Sequence, residues 1–328
     1  MARLQTLQSA LAYRPSPDPA METEPATISV IVATRDRAPS LGALLRSFDA
    51  LEAPPVPYEI VIADNGSTDE TPRLLADWRR GGPGRIVIRV GEPGKSRAAN
   101  AAITASRGEL LAFLDDDVVT DPRWLVEIWD YFTRHDCVAA QGAVLWPPEA
   151  SADPELRERL VRYGTIVHID YEPDSQRQRL TGANMVVRRH AFAVVGGFNE
   201  ILGPGAAGAS EDTELGTRIL AVGGWIGYMT GARVVHEIDQ TRLTEAHFAE
   251  HHRRLGRSRF AYKKNGLLSS ILPNLAKSAM QYGLYSILGD SHRKYRAKGR
   301  LYHYGAMLTV HRGGRARSSA QRPRAKQS

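Results

Sequence analysis

Residues Leu110-Leu111-Ala112-Phe113-Leu114-Asp115-Asp116-Asp117 join an apolar run to three consecutive carboxylates. The five apolar residues read as a buried strand, and the aspartates as its exit. Adjacent negative charges repel, so the arrangement is costly unless a cation or strong donors offset it. In α/β proteins the crevice beyond a strand's carboxyl end is where ligands bind. The spacing Asp115-x-Asp117 places two side chains on one side of an extended chain, in reach of one hard divalent cation. Mg²⁺ or Mn²⁺ held by so few protein oxygens completes its shell with water and phosphate, which points to a nucleotide diphosphate. On the triplet alone, a solvated acidic turn leading into a helix is an equal alternative.

The flanking segments repeat one unit. Thr27–Thr34 is rich in β-branched residues and is followed by apolar positions at Leu41, Leu44, Leu45 and Phe48, a helical spacing. Tyr58–Ala63 gives a second strand, running into Asp64-Asn65-Gly66-Ser67-Thr68-Asp69 and a helix from about Glu70, with Asp69 as its cap. Ile86–Val90 gives a third strand, and Gly94 to Asn100 opens a small-residue helix. Alternating strands and helices predict a mostly parallel, Rossmann-like α/β sheet whose loops gather at the strand C-terminal edge. Asp36, Asp64, Lys95 and Asp117 would converge there.

With these motifs in view, the chain resembles the family 2 inverting glycosyltransferases of GT-A fold. The resemblance rests on Ser29 to Arg37, Val61 to Asp69, Arg97-Ala98-Ala99-Asn100, Gly108-Glu109 and Phe113 to Asp117. It continues through Thr181-Gly182-Ala183-Asn184-Met185, Gly196 to Glu200 and Glu211-Asp212-Thr213-Glu214-Leu215, covering about residues 27 to 240. It implies transfer of a sugar from a nucleoside diphosphate donor to a hydroxyl acceptor, with inversion at the anomeric carbon. Asp117, helped by Asp115 and by His236 at the end of Arg233-Val234-Val235, is implied to hold Mg²⁺ or Mn²⁺. Thr34, Asp36 and Asp64 would line the base and ribose pocket, where carboxylates accept from imide, amino and hydroxyl groups. Lys95 and Arg97 would meet phosphate, and Asp115 and Asp116 would complete the nucleotide-sugar contacts. Asp212 is implied as the general base, with Glu211 as a second candidate or a positioning group. Acidic residues also favour helix N-termini for dipole reasons alone. The glycine-rich run Gly203 to Ser210 before this pair suggests a loop that orders when donor and metal bind.

Composition sets the remaining bounds. The chain has 328 residues, is 42% hydrophobic and carries +7 overall. That suits one large α/β domain with a C-terminal appendage. Cys137 is the only cysteine, so a reducing, cytoplasmic home is expected, with Cys137 in the core. Residues 1–26 hold four prolines and no long apolar run, which reads as a flexible lead-in. Residues 251–328 contain eighteen Lys plus Arg and one acidic residue, Asp290, a formal +17 that leaves −10 on residues 1–250. Residues 311–328, with six basic and no acidic residues, read as a disordered tail after a helical region spanning 241–310. Leu267–Leu288 carries a strong apolar content, but Lys277 and the break at Pro273 argue against a spanning helix. It suits a packed helical cap, the surface of an anionic membrane, or both.

The acceptor half, about 121–240, holds Trp146, Tyr163, His168 and Trp225, which would stack on sugar faces or pack in the core. A glycan, a lipid-linked sugar and a small molecule all fit as acceptors. Two other functions compete. A sugar-1-phosphate nucleotidyltransferase shares the nucleotide and the metal, but it calls for a glycine-rich phosphate loop that Val30–Arg37 lacks. A nucleic-acid-binding protein would account for the basic tail, yet no groove-binding motif accompanies it, so no nucleic-acid partner is expected.

Overall fold

The computed structural model describes residues 28–172, 178–263 and 265–320. The lead-in expected over 1–26 and the last residues of the expected tail, 321–328, lie outside the described residues. The chain divides into two compact units. One takes residues up to Glu149, Val167–Ala206 and Glu211–Ile238; the other takes Ala150–Ile166, Ala207–Ser210 and residues from Asp239 onward.

The first unit alternates β1 (Ile28–Thr34), α1 (Ala38–Phe48), β2 (Tyr58–Asp64), α2 (Thr71–Arg79), β3 (Arg85–Arg89), α3 (Lys95–Ala105) and β4 (Leu110–Leu114). A short β5 (Val118–Thr120), α4 (Trp124–Arg134) and β6 (Ala139–Leu145) follow. After α5 (Glu149–Ala152) and α6 (Pro154–Tyr163) come β7 (Asn184–Arg188), α7 (Arg189–Val195), α8 (Glu211–Ala221) and β8 (Ile226–His236). The eight strands form one sheet in the order β3-β2-β1-β4-β7-β6-β8-β5. The first four strands are parallel, as the repeated βα pattern requires. The later strands depart from parallel pairing, because β7 runs antiparallel to both β4 and β6, and β5 antiparallel to β8.

Strand alternation sorts the core into two layers. Val30, Val32, Ile60, Ile62, Ala112 and Leu114 face one way, onto Leu41 and Leu44 of α1 and Trp124 and Ile128 of α4. Ile31, Val61, Ala63, Leu111 and Phe113 face the other, onto Ala98 and Ala102 of α3 and Leu215 and Ile219 of α8. Small residues on α3 let that helix lie close to the sheet. Cys137 is buried in the first layer, and burial pushes its thiol up to about 12, the behaviour of an inert core residue.

The second unit is helical, with α9 (Glu245–Tyr262), α10 (Leu272–Ile287) and α11 (Ser291–Ala320). Thr244 caps α9 by accepting from the His247 amide at 3.3 Å. A π-helical turn at Leu267–Ile271 leads into α10, where Pro273 sits in the first turn and needs no amide partner. Phe248 is buried among the rings of Tyr163, His252 and Tyr295. Gly256 is required where α9 meets α11, since a Cβ there would strike the carbonyl of His303. The helical unit is not solely C-terminal. Ala150–Ile166 joins it, with Tyr163 of α6 packed against the rings of Phe248 and Tyr295. Helix α11 also continues to Ala320, beyond the expected end of helix at 310. Among the described residues no helix is long and apolar enough to cross a membrane.

Candidate active site

Register explains which side chains meet at the C-terminal edge of the first unit. Thr34 pairs with Asp64, ending β1 and β2 level with each other, while Val32 pairs with Leu114. Asp116 consequently arrives beside Thr34, whose hydroxyl donates to Asp116 Oδ2 at 2.7 Å. On the other side Val118 pairs with His236, which brings the imidazole next to Asp117, with Nε2 3.5 Å from Oδ1. The His236 Nδ1 lies 2.8 Å from the Glu237 carbonyl, which only accepts, so Nδ1 carries a proton and donates to it.

Lys95 and Arg37 divide the triplet between them, Lys95 taking Asp115 and Arg37 facing both Asp116 and Asp117. Asp115 pairs with Lys95. Asp116 is half-buried, and desolvation together with the neighbouring charge of Asp117 pushes its carboxyl up to about 6, with Arg37 opposing. Asp117 receives Arg37 Nη2 at 2.8 Å. Burial works against the charge on Arg37, but Asp116 and Asp117 outweigh it and hold the guanidinium charged. Arg37 is thus a site residue in its own right. Its signal in the sequence was its place two residues beyond Arg35 at the first strand exit.

The expected base pair lies across Lys95 from the triplet. Lys95 Nζ is 3.5 Å from Glu211 Oε1, and Asp212 Oδ2 accepts from the Gly182 amide at 2.8 Å. A Cβ placed on Gly182 would lie 3.4 Å from Lys95 Nζ, 3.6 Å from Asp115 Oδ1 and 3.8 Å from Asp212 Oδ2, so these three groups surround one bare backbone position. Burial raises the Glu211 carboxyl while Lys95 pulls it down. Burial also disfavours the charged amine of Lys95, and Asp115 and Glu211 overcome it, raising its pKa. A pocket lined by Ala33, Lys95, Phe113, Gly182, Glu211 and Asp212 opens here. The Thr181–Gly182 turn is held by Gln141, whose Oε1 accepts the Thr181 amide at 2.7 Å. Gln141 and Gly182 complete the site, and neither shows as chemistry in the sequence, because Gly182 acts through its own amide and Gln141 by holding the amide of Thr181.

The base-pocket candidates are placed at the same edge. Asp64 is buried and accepts the Ser67 amide at 2.9 Å. Asp36 is exposed with φ 51°, a left-handed conformation an aspartate tolerates better than most residues, and it accepts the Thr68 amide at 2.7 Å. That bond lowers the Asp36 carboxyl below its ordinary range. Asp69 accepts from the Thr71 amide at 2.9 Å and the Ala38 amide at 3.2 Å, capping two helices. Arg97 is drawn away from the triplet and pairs with Glu92 and Glu200. Trp146 lies against His168 with ring centroids 4.4 Å apart and the rings tilted by 39°, while Tyr163 packs inside the helical unit.

The family model of glycosyl transferase family 2 matches residues 29–196, which is half of the chain and includes the triplet. The chain belongs to glycosyl transferase family 2. Within the family it is 30% identical over 255 residues to the succinoglycan biosynthesis protein ExoM of Rhizobium meliloti, covering 75% of this chain and 79% of that protein. It is 29% identical to the N-acetylglucosaminyl-diphospho-decaprenol L-rhamnosyltransferase of Mycobacterium tuberculosis, over 69% of this chain and 81% of that one. A beta-monoglucosyldiacylglycerol synthase of Nostoc is 28% identical, and there the chain spans only 38% of the relative's length. Among solved structures, the mannosyltransferase PcManGT of Pyrobaculum calidifontis, in complex with GDP-Man and Mn²⁺, superposes with a TM-score of 0.53 at 17% identity, covering 95% of this chain and 83% of that one. This likeness establishes the GT-A fold, as the βα pattern and the motif order predicted.

Proposed function

We propose that this family 2 member is a metal-dependent inverting glycosyltransferase, moving a sugar from a nucleoside diphosphate to an acceptor hydroxyl. The observation that carries the reading is the placement of Asp212 and Asp115 around Gly182, with Lys95 between them. In this reading the acceptor oxygen attacks the anomeric carbon on the face opposite the diphosphate. The carbon–oxygen bond to the leaving group breaks, its electron pair departs with the diphosphate, and the acceptor proton passes to Asp212. Glu211 holds Lys95, and Lys95 in turn positions Asp115 or meets phosphate when a donor enters. Thr34, Asp36 and Asp64 contact base and ribose. The loop before Glu211 closes on the loaded donor.

Among the described residues no three His, Cys, Asp or Glu side chains converge into a ready metal cage. The residues nonetheless fit a divalent ion that takes part of its shell from the donor. Five carboxylates (Asp115, Asp116, Asp117, Glu211 and Asp212) face the two cations Lys95 and Arg37, a balance unsuited to a diphosphate without added positive charge. His236 Nε2 lies 3.5 Å from Asp117 Oδ1, near enough for both to share one ion. Asp117, Asp115 and His236 would hold it; when bound, Mg²⁺ or Mn²⁺ neutralises charge growing on the leaving diphosphate. PcManGT, crystallised with Mn²⁺ and GDP-Man, supports that class of donor and cofactor. A nucleotidyltransferase reading gains no support, since the Thr34–Arg37 turn offers no glycine-rich phosphate cradle.

For the acceptor we favour a lipid-linked sugar at the cytoplasmic face of a membrane, the class named in the decaprenol-linked rhamnosyltransferase. The test is a panel of UDP-, GDP- and dTDP-sugars with Mn²⁺, read by thermal shift and by donor hydrolysis. One nucleotide class is expected to raise the melting temperature and to be hydrolysed slowly. A panel in which no nucleotide sugar binds would overturn the proposal.

A further inference from the structure

Helix α10 carries apolar residues on its exposed side as well as on its inward one, where Leu275, Tyr282 and Tyr285 are half-buried. A helix on a soluble protein turns its apolar stripe inward. Here Ser278 is only 2% exposed and donates to the Asn274 carbonyl at 2.7 Å, and Gln281 accepts from Arg300 Nη2 at 2.7 Å. The outward face carries Met280 at 69% exposure, Leu284, and Ile287 at 85%. At 100° per residue these lie with Leu272, Ala276, Ala279 and Gly283 on one continuous side, interrupted at its margin by Lys277. The π-helical turn before it adds Leu268, 78% exposed. A contiguous exposed apolar stripe of this kind marks a surface that something covers.

Charge decides what covers it. Asp290 is the one acidic residue between His251 and Ser328, against eighteen basic ones. Beyond the end of the stripe, His292, Arg293 and Arg296 are exposed. A second copy of the chain meeting this face would bring two +17 segments together. An anionic lipid surface offers apolar contact and opposite charge at once. We propose that the outward face of α10 lies in the headgroup layer of an anionic membrane, with Met280, Leu284 and Ile287 inserted. The helix lies on the bilayer and does not span it. The inference is independent of the catalytic reading, which concerns the other unit.

The experiment is sedimentation of the full chain with vesicles of phosphatidylcholine alone or mixed with phosphatidylglycerol, beside a variant carrying Met280→Gln, Leu284→Gln and Ile287→Gln. The wild type is expected to sediment with the anionic vesicles, less so as salt rises, and the variant to bind roughly a hundredfold more weakly, from lost burial of three side chains. Equal binding by the variant would overturn the proposal, leaving charge alone. Wild type that ignores vesicles but self-associates through the same residues would overturn it in favour of a dimer face. If the triple variant fails to fold, Ile287→Trp supplies the readout: its emission should shift to the blue on anionic vesicles, and an unshifted spectrum would contradict insertion.

Discussion

Lys95 Nζ stands 3.5 Å from Glu211 Oε1 while the same ammonium pairs with Asp115, so one cation ties the strand-end carboxylates to the start of α8. Glu211 is buried, and its charge is tolerable only because Lys95 faces it. Lys95→Met should therefore lower stability by about 2 kcal/mol, a partly buried pair losing one partner. Adding Glu211→Gln should recover part of that loss in chemical denaturation. Strict additivity of the two changes would show that the pair is not coupled.

Acid should loosen the helical unit first. Burial lowers His251 to about 3, and His252 and His303 to about 4, all from an ordinary 6.5. These rings are neutral when folded, and the unfolded chain takes up more protons between about pH 6.5 and 4. Their contribution to stability is present above the upper value and is lost as pH falls through the window. Helicity followed by circular dichroism should melt at progressively lower temperature over that range, and His252→Leu should reduce the slope by about one proton. A flat profile would refute the assignment.

Gly142 faces the side-chain amide of Asn184, and a Cβ there would also lie 2.7 Å from the Ala232 carbonyl. Asn184 is itself fixed, accepting from Trp124 Nε1 at 3.0 Å and donating to the Ala143 carbonyl at 2.9 Å. With backbone on one side and a fully bonded side chain on the other, Gly142→Ala should cost about 2–3 kcal/mol. Unfolding at wild-type denaturant concentration would mean that the strands shift more freely than their hydrogen bonds imply.

Removal of divalent ions should abolish transfer, with Mn²⁺ or Mg²⁺ restoring it. Asp117→Ala should weaken nucleotide binding, and His236→Ala should raise the Mn²⁺ concentration needed for half-activity. Full turnover in excess chelator would remove the metal from the account.

Much of the first unit was legible in the sequence because local and global signals agree there. The four apolar runs bounded by polar turns became β1 to β4 within a residue or two, and Leu110–Leu114 matched at both ends. The strands after β4 were less legible. Whether β7 pairs parallel or antiparallel depends on partners far along the chain, and Asn184–Arg188 is a run of five residues with no turn signal fixing its direction. Helix α6 could not be assigned to the helical unit either, since Leu160 and Tyr163 look the same whichever core receives them. At the site, side chains with charge were visible from spacing. Gly182 and Gln141 were not, because what matters at one is an amide and a missing Cβ, and at the other a single bond to a loop.

In the proposed reaction Asp212 takes the proton of the acceptor hydroxyl. Asp212→Asn keeps the shape and removes the acceptor, so kcat should fall by about a hundredfold or more, with donor affinity unchanged within a few-fold. Glu211→Gln, assayed beside it, should retain more activity. A near wild-type kcat for Asp212→Asn, whether or not Glu211→Gln is inactive, would contradict the account.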